Sequence, residues 1–349
     1  MTNEPVAPPP RANLDLLGHE AVESVLRQNF DAGRLPHALL LSGPRGIGKA
    51  TLAFRLARYV LSAPGEGAAL DMFGAPASEP GGGLAVPPES GVFHRVAAGG
   101  HADLLTVERA YDPRRKRLRG EIVVDDAREI GAFLRLTPAE GGWRVVIVDG
   151  ADEMNRNAAN SLLKILEEPP RRTLLILVAH SAGRLLPTIR SRCRQVALSP
   201  LHESVVRDLL ARYCPDLDCK EAEAVAALAE GSIGRALELA VSGGLELSDT
   251  LTAMLSRRSG IDVLALHGFA ERLARPDAED SYRTVEELLR QHLARLAIAA
   301  ARHGTRADAA RWARVRTEIG DEFARADGLN LDKKQTIMSA FFAIERAAG

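Results

Sequence analysis

The sequence predicts a doubly wound α/β domain followed by an all-helical region. Three observations carry this. Short continuous apolar runs alternate with helix-period segments over the first part of the chain. A glycine-rich loop separates the first of these runs from the helix after it. From about Ser248 onward Leu, Ala, Arg and Glu recur at helical spacing with few β-branched residues. Strands that alternate with helices imply a parallel sheet covered on both faces, and helical periodicity without strands suits a bundle.

Residues 1–13, with Pro5, Pro8, Pro9 and Pro10, read as a disordered lead. A helix is expected over about 19–32. His37-Ala38-Leu39-Leu40-Leu41-Ser42 reads as a short apolar strand, and Gly48 to about Leu61 as a helix with Leu52, Leu56 and Val60 at helical spacing. The stretch 62–91 is rich in Gly, Pro and Ala, includes Gly81-Gly82-Gly83 and Pro87-Pro88, and reads as a mobile insertion. Asp103–Val107 is a second strand and 125–136 a helix. Trp143–Asp149 carries four apolar residues in a row, as in a strand buried on both faces of a parallel sheet. Asn155–Glu168 is an amphipathic helix stopped by Pro169-Pro170, and Thr173–Ala179 is another buried strand. Residues 201–245 hold short helical stretches. The clearest piece of the helical remainder is Val285–Leu296, with Leu288, Leu289, Leu293 and Leu296 on one face.

The loop Gly43-Pro44-Arg45-Gly46-Ile47-Gly48-Lys49-Ala50-Thr51 fits G-x-x-x-x-G-K-[ST] through its seventh position and breaks at the eighth. Gly43, Gly46 and Gly48 let backbone N–H groups curl around an anion, the helix N-terminus adds favourable partial charge, and Lys49 reaches the outer phosphates. A nucleoside triphosphate such as ATP is the ligand this points to. Ala50 stands where a hydroxyl would hold Mg²⁺, and Thr51 comes about 100° further round the helix. Asp149, at the end of its strand, occupies the place of a magnesium-holding acid. Gly150 follows where many ATPases carry a water-orienting Glu, and Asp152 and Glu153 come late. Losing both the hydroxyl and the carboxylate favours a site that does not hydrolyse, because phosphoryl transfer depends on placing the metal and the water.

Composition excludes several classes. A formal net charge of −1 argues against strong autonomous nucleic-acid binding. The basic run Arg114–Arg117 with Arg119 reads as a solvated loop, with contact to a phosphate backbone as the alternative. Cys193, Cys214 and Cys219 form neither a disulfide framework nor a zinc-ligand spacing, so no zinc is expected. No apolar run of about 18 residues is present, and the N-terminus lacks a basic start with an apolar core. The expected setting is a reducing cytoplasm, with no membrane association.

Asn160-Ser161-Leu162-Leu163-Lys164-Ile165-Leu166-Glu167-Glu168-Pro169-Pro170 and Pro187-Thr188-Ile189-Arg190-Ser191-Arg192-Cys193 resemble the two signature segments of bacterial clamp-loader subunits, in the AAA+ superfamily. Leu17-Gly18-His19-Glu20 and His37-Ala38 extend the resemblance over about 1–245. It implies a RecA-like P-loop domain at 14–199, a helical lid at 200–245 and a helical collar at 246–349 that holds five subunits in a ring. Ala50, Gly150 and the missing cysteine module place the chain nearer the non-motor members than the gamma/tau motor. Arg192 is then an arginine finger projecting into a neighbour's ATP site, with Arg190 and Arg194 as nearby alternatives. Arg235, in Gly231-Ser232-Ile233-Gly234-Arg235, resembles a sensor arginine touching its own subunit's γ-phosphate. The sensor position near His180 carries no Thr or Asn. The implied partners are gamma/tau and delta subunits, a sliding clamp and primer-template DNA. The implied activity is support of a polymerase holoenzyme in DNA replication. Two other readings stay open: a working ATPase motor, and an AAA+ scaffold outside replication.

Overall fold

The computed structural model describes residues 7–63, 83–112, 117–140, 142–256 and 260–348. The chain divides into two compact units, Met1–Pro215 with Ala229–Arg235, and Asp216–Leu228 with Ala236–Gly349.

The first unit contains, in order, α1 (Glu20–Asp31), β1 (Ala38–Ser42), α2 (Lys49–Leu61), α3 (Gly91–Ala97), β2 (Leu104–Val107), β3 (Tyr111–Asp112), β4 (Arg117–Leu118), α4 (Val124–Arg135), β5 (Arg144–Asp149), α5 (Arg156–Glu167), β6 (Thr173–Ala179), α6 (Pro187–Arg190), β7 (Arg194–Ala197) and α7 (Glu203–Tyr213). A parallel sheet runs in the order β2-β5-β6-β1-β7, and β3 pairs with β4 in a separate antiparallel hairpin. Side chains alternate between its faces. Leu39, Leu41, Val145, Ile147, Leu174 and Ile176 pack with Leu52, Leu56 and Val60 of α2. Ala38, Leu40, Val146, Val148, Leu175 and Leu177 pack with Ile130 of α4 and Leu162 and Leu166 of α5. Each fully buried Leu, Ile or Val contributes roughly 1.5–3 kcal/mol, which is why β1, β5 and β6 are apolar throughout between their end residues. β7 escapes a reading from sequence because it is a short edge strand whose residues are largely exposed.

Two expectations need correction within the described residues. Part of the lead is fastened. Arg58 is 1% exposed and donates to the carbonyls of Arg11 (2.8 Å) and Asn13 (2.9 Å), and Arg55 donates to Leu14 and pairs with Glu23 at 2.5 Å. Buried guanidiniums need acceptors, and these backbone carbonyls supply them. Most of 62–91 lies outside the described residues, but Leu84 and Val86 are buried and the Ser90 hydroxyl caps α3 by accepting from Phe93 N. Two apolar residues among many glycines were enough to anchor this end. The basic run at 114–117 lies outside the described side chains.

α8 (Cys219–Leu228) belongs to the second unit, and α9 (Ile233–Val241) starts in the first, so the stretch expected as a separate lid is shared between the units. The second unit continues with α10 (Gly244–Leu255), α11 (Val263–Leu273), α12 (Glu279–His303), α13 (Arg306–Leu329) and α14 (Lys333–Ala348). Its core joins Tyr282 and Phe323, with ring centroids 5.2 Å apart, and Phe269 and Phe341, at 6.3 Å. Leu288, Leu289 and Leu293 are buried as their spacing predicts, and Leu296 is half-buried. No helix among the described residues is long and apolar enough to cross a membrane.

Candidate nucleotide site and arginine segment

Parallel register assembles the site. Ser42 pairs with Ala179, and Asp149 with Val178. The C-terminal ends of β1, β5 and β6 therefore bring the phosphate loop, Asp149 and His180 to one edge of the sheet, where ligands of open α/β sheets bind.

The loop is closed by contacts within its own unit. Lys49 Nζ donates to Gly43 O (2.8 Å) and Pro44 O (2.5 Å). His19 Nε2 bonds Ile47 O at 2.8 Å. Gly234 N donates to Gly46 O at 3.0 Å. Gly46 has φ +75°, and a Cβ there would lie 2.3 Å from Ser232 Oγ and 3.1 Å from Gly234 Cα. Glycine is thus required both for its backbone angle and for this close approach. Burial pushes the Lys49 ammonium down to about 8, and the nearby carboxylates of Asp149 and Asp152 partly oppose it. Burial also raises the Asp149 carboxyl, with Glu108 adding to the effect.

The acids after β5 are committed elsewhere. The Asp152 carboxylate accepts from His180 N (2.9 Å) and Ser181 N (3.0 Å). Glu153 pairs with Arg109 at 2.8 Å. Gly150 has φ +78°, and a Cβ there would meet Glu153 Oε2 at 2.6 Å, so a side chain at the water-orienting position is strained as well as missing. Ala50 offers no oxygen, and Thr51 is buried at 7% exposure in α2. Of the usual pair of magnesium-holding positions only Asp149 retains a donor, and the residues present do not fit a metal held in that manner. A polyphosphate can still be cradled by the loop if Lys49 exchanges its carbonyl partners for phosphate oxygens.

His180 is half-buried beside this edge, and its Nδ1 is buried without a hydrogen-bond partner. Burial, and then the charge of Lys49, lower its pKa. Arg235 is brought close to the loop: its N–H donates to Ser232 Oγ at 3.2 Å, one residue after the Gly234–Gly46 bond. Sequence reasoning found the segments around Gly46 and Gly234 separately. It missed that they touch, since nothing local marks contacts between residues so far apart in the chain. It also missed His19 and Arg109 as supports.

Arg192 lies at the other end of the sheet. α5 leaves the C-terminal edge after Asp149 and returns to the N-terminal edge, where Glu167 precedes β6. Arg194 pairs in register with Leu39, near the start of β1. Arg192 Nη1 donates to Thr188 O at 3.0 Å, and Nη2 meets Glu167 Oε1 at 2.7 Å, with the arginine side chain 35% exposed. Arg190 is half-buried, and its Nε has no hydrogen-bond partner; Arg194 is exposed on β7. Cys193 is buried in the core, and burial pushes its thiol up to about 11, so it packs rather than reacts.

A family model described as "DNA polymerase III, delta subunit" matches residues 85–202. The chain is 38% identical over 196 residues to DNA polymerase III subunit delta′ of Pseudomonas aeruginosa, covering 56% of this chain and 53% of the relative. It is 31% identical over 287 residues to DNA polymerase III subunit gamma/tau of Mycobacterium tuberculosis, covering 80% of this chain and 46% of the relative. The chain thus spans about half the length of these curated relatives. Among solved structures, a DNA polymerase III gamma subunit-related protein of Thermotoga maritima aligns with TM-score 0.41 and 20% identity, covering 96% of this chain and 100% of that one. By sequence, then, the chain is similar to delta′ and gamma/tau subunits of bacterial DNA polymerase III, in line with the resemblance of its segments at 160–170 and 187–193.

Proposed function

We propose that the chain is a delta′-type arm of a bacterial clamp loader. It works in the cytoplasm with gamma/tau and delta subunits to place a sliding clamp on primer-template DNA during replication. The observation that carries this is the separation of Lys49 and Arg192 at opposite edges of one sheet. A guanidinium at the N-terminal edge does not reach its own phosphate loop and is available to a neighbour's. Its contribution is to stabilise charge on a transferring phosphoryl group in trans. The chain's own loop can retain ATP as a structural ligand through Gly43, Gly46, Gly48, Lys49 and Arg235, while Ala50 and Gly150 leave it without hydrolytic parts. Zinc has no role in this reading. The three-part division into RecA-like body, lid and collar belongs to the same proposal.

The test is reconstitution with the partner subunits, comparing wild type with Arg192→Ala. Assembly should be normal and DNA-stimulated ATP hydrolysis much slower. An unchanged rate would refute the finger. A second reading, an active motor, draws on the 80% of this chain that aligns with gamma/tau. It requires the isolated chain to turn over ATP and Lys49→Ala to abolish that turnover.

A further inference from the structure

We infer that Glu167 is a positioning residue for Arg192, holding the guanidinium in the orientation in which a neighbouring subunit's triphosphate meets it. This rests on the finger reading above and adds a residue to it.

Arg192 follows α6, a helix of only four residues, and its own N–H bonds Ile189 O at 3.1 Å. The backbone there is fixed, but an arginine side chain that is 35% exposed has many rotamers open to it. Two acceptors remove that freedom. Thr188 O takes Nη1 at 3.0 Å and Glu167 Oε1 takes Nη2 at 2.7 Å. Contacts to two different nitrogens fix the plane of the guanidinium as well as its position, which a single contact would not do. Each terminal nitrogen carries two N–H bonds, so each keeps one for an incoming phosphate.

Glu167 is well placed for this work. It is the last residue of α5, at the end of the helix where the peptide dipoles leave partial negative charge. α5 is itself held by the Asn155 side chain, which accepts from Ala158 N at 2.9 Å, and by Leu162 and Leu166 in the core. The carboxylate therefore stands on a rigid element, whereas the cation it holds stands on a short turn. The Glu167 side chain is 51% exposed. Pairing at this exposure is weak enough that a triphosphate can draw the arginine forward without first paying for a buried ion pair. An ordinary surface pair of this kind has no functional effect when broken, and the test separates the two.

Full-length chain is reconstituted with partner motor subunits, clamp and primed DNA, and steady-state ATP hydrolysis is measured. Glu167→Ala should lower kcat on the order of tenfold, within what a misplaced catalytic group costs, with KM for ATP unchanged. Glu167→Gln, which keeps an acceptor without the charge, should fall between wild type and Glu167→Ala. In an Arg192→Ala background, Glu167→Ala should have no additional effect, because residues that act as one unit are not additive. Two results overturn the inference while leaving the finger intact: wild-type kcat for Glu167→Ala beside a slow Arg192→Ala, or a loss from Glu167→Ala that is equal in both backgrounds. An Arg192→Ala complex as fast as wild type removes the finger reading, and this inference with it.

Discussion

The two ends of the α/β sheet hold their cations differently. At the C-terminal edge Lys49 is 3% exposed and is folded onto Gly43 O and Pro44 O, and the loop around it is gripped by His19 and Gly234. At the N-terminal edge Arg192 is 35% exposed and leans on one carbonyl and one surface carboxylate. Buried polar groups must be satisfied inside the chain, so the first arrangement gives a stable shape. A half-exposed pair costs little to rearrange, so the second leaves a cation that another molecule can use. In the proposed reading the phosphate loop persists as architecture without the hydroxyl at position 50 and the carboxylate at position 150, and the chain's chemical contribution comes from Arg192 on a surface turn.

The comparison can be broken most decisively at Arg192. If Arg192 is the finger proposed above, Arg192→Ala should slow hydrolysis at the neighbouring ATP site by about 10³-fold or more, the range of known arginine fingers, as read by single-turnover measurement on the assembled complex. A loss below about threefold would make the two edges equivalent. Next in size is the packing of the loop. Gly46→Val places a branched side chain at φ +75° against Ser232 and Gly234. It should destabilise the fold by about 1–3 kcal/mol, seen as a lower denaturant midpoint with an unchanged slope.

A smaller effect concerns pH. The folded Lys49 value near 8 lies below its ordinary 10.5. Between those values the unfolded chain binds a proton that the folded chain does not, so stability should rise with pH across that window. The affinity of the loop for tripolyphosphate should fall over the same rise, as the ammonium loses its charge. Titration calorimetry at pH 7 and pH 9 checks the second part, and Lys49→Met should flatten the difference. The smallest expected effect is a null result. Lys49→Ala should leave ATP hydrolysis by the assembled complex within about twofold of wild type, since in the proposed reading the hydrolysed ATP sits in other chains' loops and meets this chain only through Arg192. A large loss there would show the loop to be a motor.

Thiol labelling sharpens the reading of the arginine segment. Cys219 is exposed and Cys193 is buried with a raised thiol. Mass spectrometry after brief alkylation should find Cys219 modified first and Cys193 last. Early modification of Cys193 would mean that the turn carrying Arg192 opens readily, contrary to a pre-set finger.

Much of this was legible without coordinates. Apolar runs long enough to be buried on both sides identified β1, β5 and β6, because a central parallel strand has no solvent face to mark with polar residues. Glycines before a lysine identified the phosphate loop, because few other residues let the backbone turn there. Ala50 and Gly150 announced missing chemistry by what they cannot supply. Tertiary structure alone decided that Gly46 meets Gly234, that Asp152 is spent on the turn after β6 and Glu153 on Arg109, and that Arg58 ties down the residues before α1. It also decided that Glu167 stands beside Arg192 at the edge away from Lys49. Local preference reports what each residue can do within a few neighbours. Which distant groups satisfy one another is set only when the sheet closes its register and the helices return across it.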